Sequence, residues 1–160
     1  MVPALIMAIS ASALGSALAS QYWGGLLPCV LCIYQRWAYV AAFTFALAGF
    51  GLMKSTPKLL RAAIAMAGLS FMGGSIIAGF HVGVEQGWWQ GFAGCHVPPL
   101  DPTLTPEQMR AQLLASEFVA CDQIPWSMFG VSMAGYNALF SAAFAAATLI
   151  AAWKLPRQGA

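Results

Sequence analysis

The sequence predicts an all-α membrane protein: an antiparallel bundle of four transmembrane helices, with one long outer loop that carries a short helix. Three observations predict it. The chain of 160 residues is 60% hydrophobic and 8% charged, with a mean hydropathy of +0.73, whereas soluble domains carry about 25% charged residues. Apolar stretches of about 20 residues recur, the length a helix needs to cross a bilayer. Its acidic residues fall in one stretch between the third and fourth apolar segments. A chain of this length is expected to form one domain, here 1–160.

The first span is expected over about Val2–Ala19. No Asp, Glu, Lys or Arg precedes Arg36, so the uncharged stretch is too long for one span, and Gln21, Gly24, Gly25 and Pro28 divide it. Ser16-Ala17-Leu18-Ala19-Ser20 resembles a signal-peptide cleavage site. No positive segment precedes it, and an uncleaved span is the better reading. The second span runs over about Cys29–Met53. A basic turn with Lys54, Lys58 and Arg61 leads to the third, about Leu59–Phe80. The polar loop covers about Val84–Pro125. The fourth span is expected over about Ser127–Trp153, ahead of Lys154 and Arg157.

Charge gives the orientation. Basic residues in short loops mark the cytoplasmic side, and five of the seven lie in the turn at 54–61 or after the fourth span. All five acidic residues (Glu85, Asp101, Glu107, Glu117 and Asp122) lie within 85–122, where Arg110 is the one basic residue, a formal charge of −4. Both termini are therefore expected inside and the long loop outside. Tyr22, Trp23, Trp88, Trp89, Trp126 and Trp153 fall near the expected span ends, as an interfacial aromatic belt requires. Trp37, one turn inside the second span, is the exception.

Lipid gives no hydrophobic push between helices, so small residues are expected where helices meet. Ala8, Ser12, Ser16 and Ser20 recur every fourth residue, as do Ala134, Ala138, Ala142 and Ala146; Ser75, Gly79 and Gly83 make a shorter row. In the loop, Thr105-Pro106-Glu107-Gln108 has the form of a helix start: Thr as N-cap, Pro in the first turn, and Gln placed to close a capping box. A helix over about Pro106–Ser116 follows, with Met109, Leu113 and Leu114 on one face. It is expected to lie along the membrane surface or to pack on the loop.

All four cysteines fall on the expected outer side, where disulfides persist. Cys29, Cys32 and Arg36 stand at i, i+3 and i+7 and share one helix face. Unpaired N–H groups in a first helical turn favour an anion, and a thiolate there is more reactive. Arg36 is the sole charge inside an expected span, and such a charge usually faces the bundle interior and marks a site; the plainer alternative is a side chain that snorkels to the interface. His81, at the outer end of the third span, can exchange a proton near the membrane surface or serve as a packing residue. Cys95 and Cys121 lie in the loop. Four cysteines allow three pairings, and the sequence does not choose among them. No metal is expected: a structural zinc takes four ligands, and Cys95-His96 with Cys121 lacks the spacing of a compact zinc motif. Nor does the chain contain a Gly-rich nucleotide fingerprint or a haem or iron–sulfur motif. No nucleic-acid partner is expected.

Pro28-Cys29-Val30-Leu31-Cys32-Ile33-Tyr34-Gln35-Arg36 resembles the signature of the DsbB family of disulfide bond formation proteins. The run Cys121-Asp122-Gln123-Ile124-Pro125-Trp126-Ser127-Met128-Phe129-Gly130-Val131-Ser132-Met133-Ala134-Gly135-Tyr136-Asn137 is similar to that family's loop cysteine and its entry to the last span. The segment from His81 to Trp89 resembles family members as well. The resemblance covers nearly the whole chain.

It implies a protein-dithiol:quinone oxidoreductase of the bacterial inner membrane that re-oxidises the periplasmic thiol oxidase DsbA and reduces a membrane quinone, ubiquinone or menaquinone. Proteins of that family keep the bacterial periplasm oxidising together with DsbA and quinone. Carried onto this chain, Cys95–Cys121 is the loop disulfide that reduced DsbA attacks, with Cys95 forming the mixed disulfide. Cys121 passes electrons on through a disulfide with Cys29, and Cys32 is released as the thiolate that reacts with quinone. Arg36 stabilises that thiolate and the developing quinone anion, and His81 lines the same pocket. DsbA is a strong oxidant, at about −120 mV, so its re-oxidation needs an acceptor of still higher potential, which a lipid-soluble quinone supplies. The alternatives are a dedicated DsbB-like paralogue for one substrate oxidase, a non-catalytic scaffold whose disulfides staple the loop, and a vitamin-K-epoxide-reductase-like enzyme. In that last family the redox pair sits near the start of the last span, whereas here it opens the second.

Overall fold

A computed structural model describes residues 1–53, 57–92, 95, 105–115 and 119–155, the side chains of 111–115 excepted. Lys54, His96, Asp101, Ser116, Glu117 and Arg157, and the apolar face drawn through Leu113 and Leu114, lie outside that description. In chain order the elements are α1 (Val2–Tyr22), α2 (Val30–Gly51), α3 (Pro57–Glu85), α4 (Pro106–Ala115), β1 (Ser127–Met128), β2 (Val131–Ser132) and α5 (Met133–Lys154). Among the described residues α1, α2, α3 and α5 are long and apolar enough to cross a membrane.

The helix α3 is the centre of the bundle. It packs along α2 on one side and α5 on the other, while α1 rests on α2 and barely touches α3 or α5. The bundle is therefore open along a seam between α1 and α5. Phe71, 1% exposed, fills the middle. Its ring meets Tyr39 edge-on at 5.7 Å and Phe144 at 5.8 Å. Gly74 lets α2 approach closely: a Cβ there would lie 2.9 Å from the Ala38 Cβ. Ser75 Oγ donates to the Ala138 carbonyl at 2.9 Å and ties α3 to α5.

The rows of small residues form only part of the helix contacts that their spacing suggests: Ser75 meets Ala138, and Gly83 and Ala134 are buried. Ala8, Ser12 and Ser16 are exposed, as are Gly79, Ala142 and Ala146. The buried residues of α5 are Ala134, Ser141, Ala145, Thr148 and Ala152, and those of α3 include Ile64, Ala67, Phe71, Gly74, Ala78 and His81. The reason is the helical period. A strict four-residue step overshoots the 3.6-residue turn and drifts around the helix, whereas mixed steps of three and four hold one face.

Two boundaries move. Helix α3 runs past Phe80 to Glu85 and places His81 within the helix. It ends where Gly87 takes a left-handed φ of +70°, with Trp88 N–H donating to the Gly83 carbonyl at 2.9 Å and Gly87 N–H to Val84 at 3.1 Å, a Schellman-type stop. Helix α5 begins at Met133 rather than Ser127, because β1 and β2 form a two-residue hairpin with Ser127 opposite Ser132 and Met128 opposite Val131. Phe129 and Gly130 form its turn with φ of +50° and +76°, the signs that a type I′ turn requires. Ser132 then caps α5, accepting from Gly135 N–H at 3.1 Å. The helix expected in the loop is present as α4, and its capping box closes: Thr105 N–H donates to Gln108 Oε1 at 2.9 Å and Gln108 N–H to Thr105 Oγ1 at 3.3 Å.

Trp23, Trp88 and Trp126 are exposed near helix or loop ends, and Trp153 lies in the last turn of α5; Trp37, inside α2, is 64% exposed. Lys58 and Arg61 open α3 and Lys154 closes α5. Because these helices run antiparallel, all three gather at the end of the bundle opposite the cysteines.

A sulfur cluster above an apolar cavity: the candidate active site

Pro28 precedes α2 and Cys29 is its N-cap, with φ −74° and ψ 171°. The Cys29 Sγ accepts from the Cys32 N–H at 3.4 Å, an anion-friendly position in a first turn. Cys29 and Cys32 are free thiols with their sulfurs 3.0 Å apart. Cys29 immediately precedes the spanning helix. The hydrogen bond from Cys32 is the largest influence holding its thiol below the ordinary range; burial opposes this, and His81 adds to it.

Cys95 and Cys121 are joined in a disulfide, their Cα atoms 4.9 Å apart, and Cys121 N–H donates to the Cys95 carbonyl at 3.2 Å. Cys29, Cys95 and Cys121 pack with Leu31 and Val84 in one buried cluster, with Cys32 against it. All four sulfurs thus meet at one end of the bundle, although Cys29 and Cys121 are far apart in sequence.

His81, 3% exposed, is the hub of this cluster. Its Nε2 lies 3.6 Å from Cys29 Sγ and 3.1 Å from the Cys121 carbonyl oxygen. A carbonyl only accepts, so Nε2 carries a hydrogen. Its Nδ1 lies 3.0 Å from Gln35 Nε2. Glu85 Oε1 is 3.9 Å from Nε2, and the other Glu85 oxygen accepts from Ser132 Oγ at 2.5 Å, which joins α3 to the cap of α5. The ligand atoms of Cys29, Cys32 and His81 all lie within 4.8 Å of one another, close enough for a soft cation. The hydrogen that Nε2 needs for the Cys121 carbonyl withdraws that nitrogen from such a role.

Below the sulfurs is a cavity of about 220 Å³. Its walls come from α1 (Ala13, Leu14, Ala17), α2 (Cys32, Arg36, Tyr39) and α5 (Met133, Ala134, Asn137), together with Cys29, His81, Glu85 and the loop at Val119, Ala120, Gln123 and Pro125. It is walled on both sides of the α1–α5 seam. The Arg36 guanidinium reaches α1: Nη1 donates to Gln21 Oε1 at 2.5 Å and Nη2 to the Ala17 carbonyl at 3.1 Å. It therefore sits at the C-terminal end of α1, where the helix dipole favours a cation. Cys29, Cys32, Arg36 and His81 all line this cavity, while Cys95 and Cys121 stand beside it in the sulfur cluster.

Sequence reasoning missed Gln21, Gln35, Tyr39 and Asn137. A signal for two of them was present: Gln35 and Asn137 are strongly polar groups inside apolar spans, and polar groups inside a membrane generally have partners and a function.

Comparison with known proteins finds relatives along most of the chain. The family described as disulfide bond formation protein DsbB matches residues 1–151. Relatives named disulfide bond formation protein B include one from Haemophilus influenzae, 31% identical over 133 residues that cover 80% of this chain and 72% of that one. One from Shewanella frigidimarina is 34% identical over 135 residues, covering 80% and 76%. One from Ralstonia nicotianae is 28% identical over 157 residues, covering 96% and 94%. No solved structure matches. With four helices able to cross a membrane, a loop disulfide above a Cys-x-x-Cys pair, and a family match along nearly its whole length, the chain belongs to the DsbB family of disulfide bond formation proteins.

Proposed function

We propose that this chain is a protein-dithiol:quinone oxidoreductase that re-oxidises a DsbA-like thiol oxidase and delivers the electrons to a membrane quinone. The observation that carries the proposal is the juxtaposition of a loop disulfide, Cys95–Cys121, with a reduced Cys29–Cys32 pair that opens onto an apolar cavity at the lipid seam.

The steps balance as thiol–disulfide exchange, in which a thiolate attacks a disulfide sulfur. The partner's dithiol reduces Cys95–Cys121 by way of a mixed disulfide on Cys95. The Cys121 thiolate attacks Cys29 of an oxidised Cys29–Cys32 pair, the Cys121–Cys29 bond forms, and Cys32 leaves as thiolate. Cys95 then attacks Cys121, restores the loop disulfide and frees Cys29. A reduced Cys29–Cys32 pair beside an intact loop disulfide is the product of these steps.

The cavity fits a quinone ring by its chemistry: mostly apolar walls, the Cys32 sulfur at one side, and the Arg36 guanidinium as a fixed cation. When bound, a quinone accepts the two electrons and two protons of the dithiol. Arg36 holds its charge where negative charge develops, His81 donates to the Cys29 sulfur, and the apolar walls exclude water. The seam between α1 and α5 supports entry from the bilayer. The clustering of Lys58, Arg61 and Lys154 at the end away from the sulfurs supports a cytoplasmic position for both termini and a periplasmic one for the cysteines. The helices and loop act as one domain, 1–160.

Protein in detergent is expected to oxidise reduced DsbA when ubiquinone or menaquinone is added, and Cys32→Ser to abolish quinone reduction. Full quinone reduction by that variant would overturn the assignment.

A further inference from the structure

Behind His81 a chain of polar side chains runs into the apolar bundle. Gln35 Nε2 faces His81 Nδ1 at 3.0 Å. Gln35 Oε1 accepts from Asn137 Nδ2 at 2.5 Å. Asn137 Oδ1 accepts from the Tyr39 hydroxyl at 2.7 Å and from Ser141 Oγ at 3.2 Å, and the two hydroxyls lie 2.9 Å apart. Gln35 is 5% exposed and Ser141 fully buried. In a dry interior an unpaired polar group is costly, so such a chain is constrained to satisfy every member at once.

That constraint has a direction. The Cys121 carbonyl can only accept, so His81 Nε2 bears a hydrogen. Neutral imidazole has only one such hydrogen, which leaves Nδ1 bare and in need of a donor. Gln35 must turn its NH₂ toward Nδ1 and its carbonyl toward Asn137. Asn137 must then present its NH₂ to Gln35 and its oxygen to Tyr39 and Ser141, whose hydroxyls can supply hydrogens. For a neutral ring, rotating both amides gives the one other ordering. It moves the hydrogen to Nδ1 and leaves bare Nε2 facing the Cys121 carbonyl, acceptor against acceptor.

We propose that Gln35 and Asn137 are positioning residues that hold His81 as the Nε2–H tautomer, so that its single hydrogen is shared between the Cys121 carbonyl and the Cys29 sulfur. The inference rests on the thiol-relay reading above and adds two residues to it. When Cys95 attacks Cys121, the Cys95–Cys121 bond forms, the Cys121–Cys29 bond breaks, and the electron pair leaves on Cys29. His81 meets that thiolate with a hydrogen bond and gives up no proton. The same hydrogen holds the Cys121 backbone over Cys29. The titratable groups around His81 are Cys29 and Cys32 from the start of α2 and Glu85 from its own helix. From α5 comes neutral Asn137 by way of Gln35, and from the loop a carbonyl whose residue is locked in a disulfide.

The test is ¹⁵N NMR of the full chain in detergent, with Cys29 and Cys32 reduced and the two histidines, His81 and His96, labelled. The His81 signals are identified by their loss in His81→Asn. The wild type is expected to show a protonated Nε2 and a bare Nδ1 at neutral pH. Gln35→Glu, whose carboxylate only accepts, should bring a hydrogen to Nδ1, and Asn137→Leu should give a mixture of tautomers. In parallel, Gln35→Leu should slow thiol transfer onto Cys29 about tenfold, the loss of one buried hydrogen bond. A wild-type His81 with a bare Nε2, or protonated on both nitrogens, would overturn the proposal without recourse to any variant. So would a nitrogen pattern indifferent to Gln35→Glu. A wild-type protein that fails to oxidise dithiols would strike the functional reading instead, and the nitrogen pattern would still judge this one.

Discussion

Gln21→Leu is expected to slow quinone reduction about tenfold and to leave attack on the loop disulfide unchanged. Arg36 is aimed by two contacts with α1, to Gln21 Oε1 and to the Ala17 carbonyl. A hydrogen bond to a charged group contributes about 1.5–3 kcal/mol, and about 1.4 kcal/mol is a factor of ten in rate. The variant keeps the charge and the Ala17 contact, so the low end of that range applies. Arg36→Gln removes the charge itself and should cost on the order of 10²–10³ in turnover, the usual loss when a fixed electrostatic stabiliser is removed. The assay varies quinone at saturating reduced DsbA and separately measures how fast a mixed disulfide forms on Cys95. Quinone kinetics that are normal in Gln21→Leu but collapsed in Arg36→Gln would refute the anchoring argument. Equal loss in both half-reactions would mean that the substitution distorts the bundle rather than the guanidinium.

Three further outcomes are expected. Phe71→Ala should lower stability in detergent by roughly 2 kcal/mol, read from thermal unfolding; that is less than the ~3–5 of an aqueous core, because an unfolded span keeps the ring among apolar chains. Phe129→Asn should raise the melting temperature slightly, by about 1 kcal/mol of relieved strain, because a bulky residue at positive φ is disfavoured and Asn is not. Alkylation of Cys29 should persist as pH falls below the ordinary thiol pKa of about 8.5, since the thiolate is the reactive form and its pKa is lowered. Cys32→Ala removes the largest cause of that lowering, so the midpoint of alkylation against pH should move up.

Much of the fold was legible because the relevant signals are local. The spans followed from runs of apolar residues, and the capping box at Thr105 and Gln108 from four consecutive residues. The Cys29, Cys32 and Arg36 face followed from the helical period alone, and all three line one cavity. What failed also had local causes. The hairpin at 127–132 reads as apolar as the span it precedes, and only the paired positive φ values of Phe129 and Gly130 separate the two. The end of α3 at Glu85 rather than Phe80 depends on distant partners: Ser132, Gln35 and the Cys121 carbonyl satisfy Glu85 and His81 from other elements.

The sequence by itself determined the class of this protein, its four spans, the separation of basic residues from sulfurs, and the chemistry available: four cysteines on one side, one arginine within a span and a histidine at a span end. Tertiary structure alone decided the contacts. It seated the loop disulfide on Cys29, turned Arg36 toward α1, joined Gln35 and Asn137 behind His81, and left a seam between α1 and α5. The physical reason lies in the solvent. In water a hydrophobic stripe fixes how a helix is rotated, but a helix that is apolar all round in lipid carries no such mark, and its rotation is set only by the few small and polar side chains it meets on its neighbours.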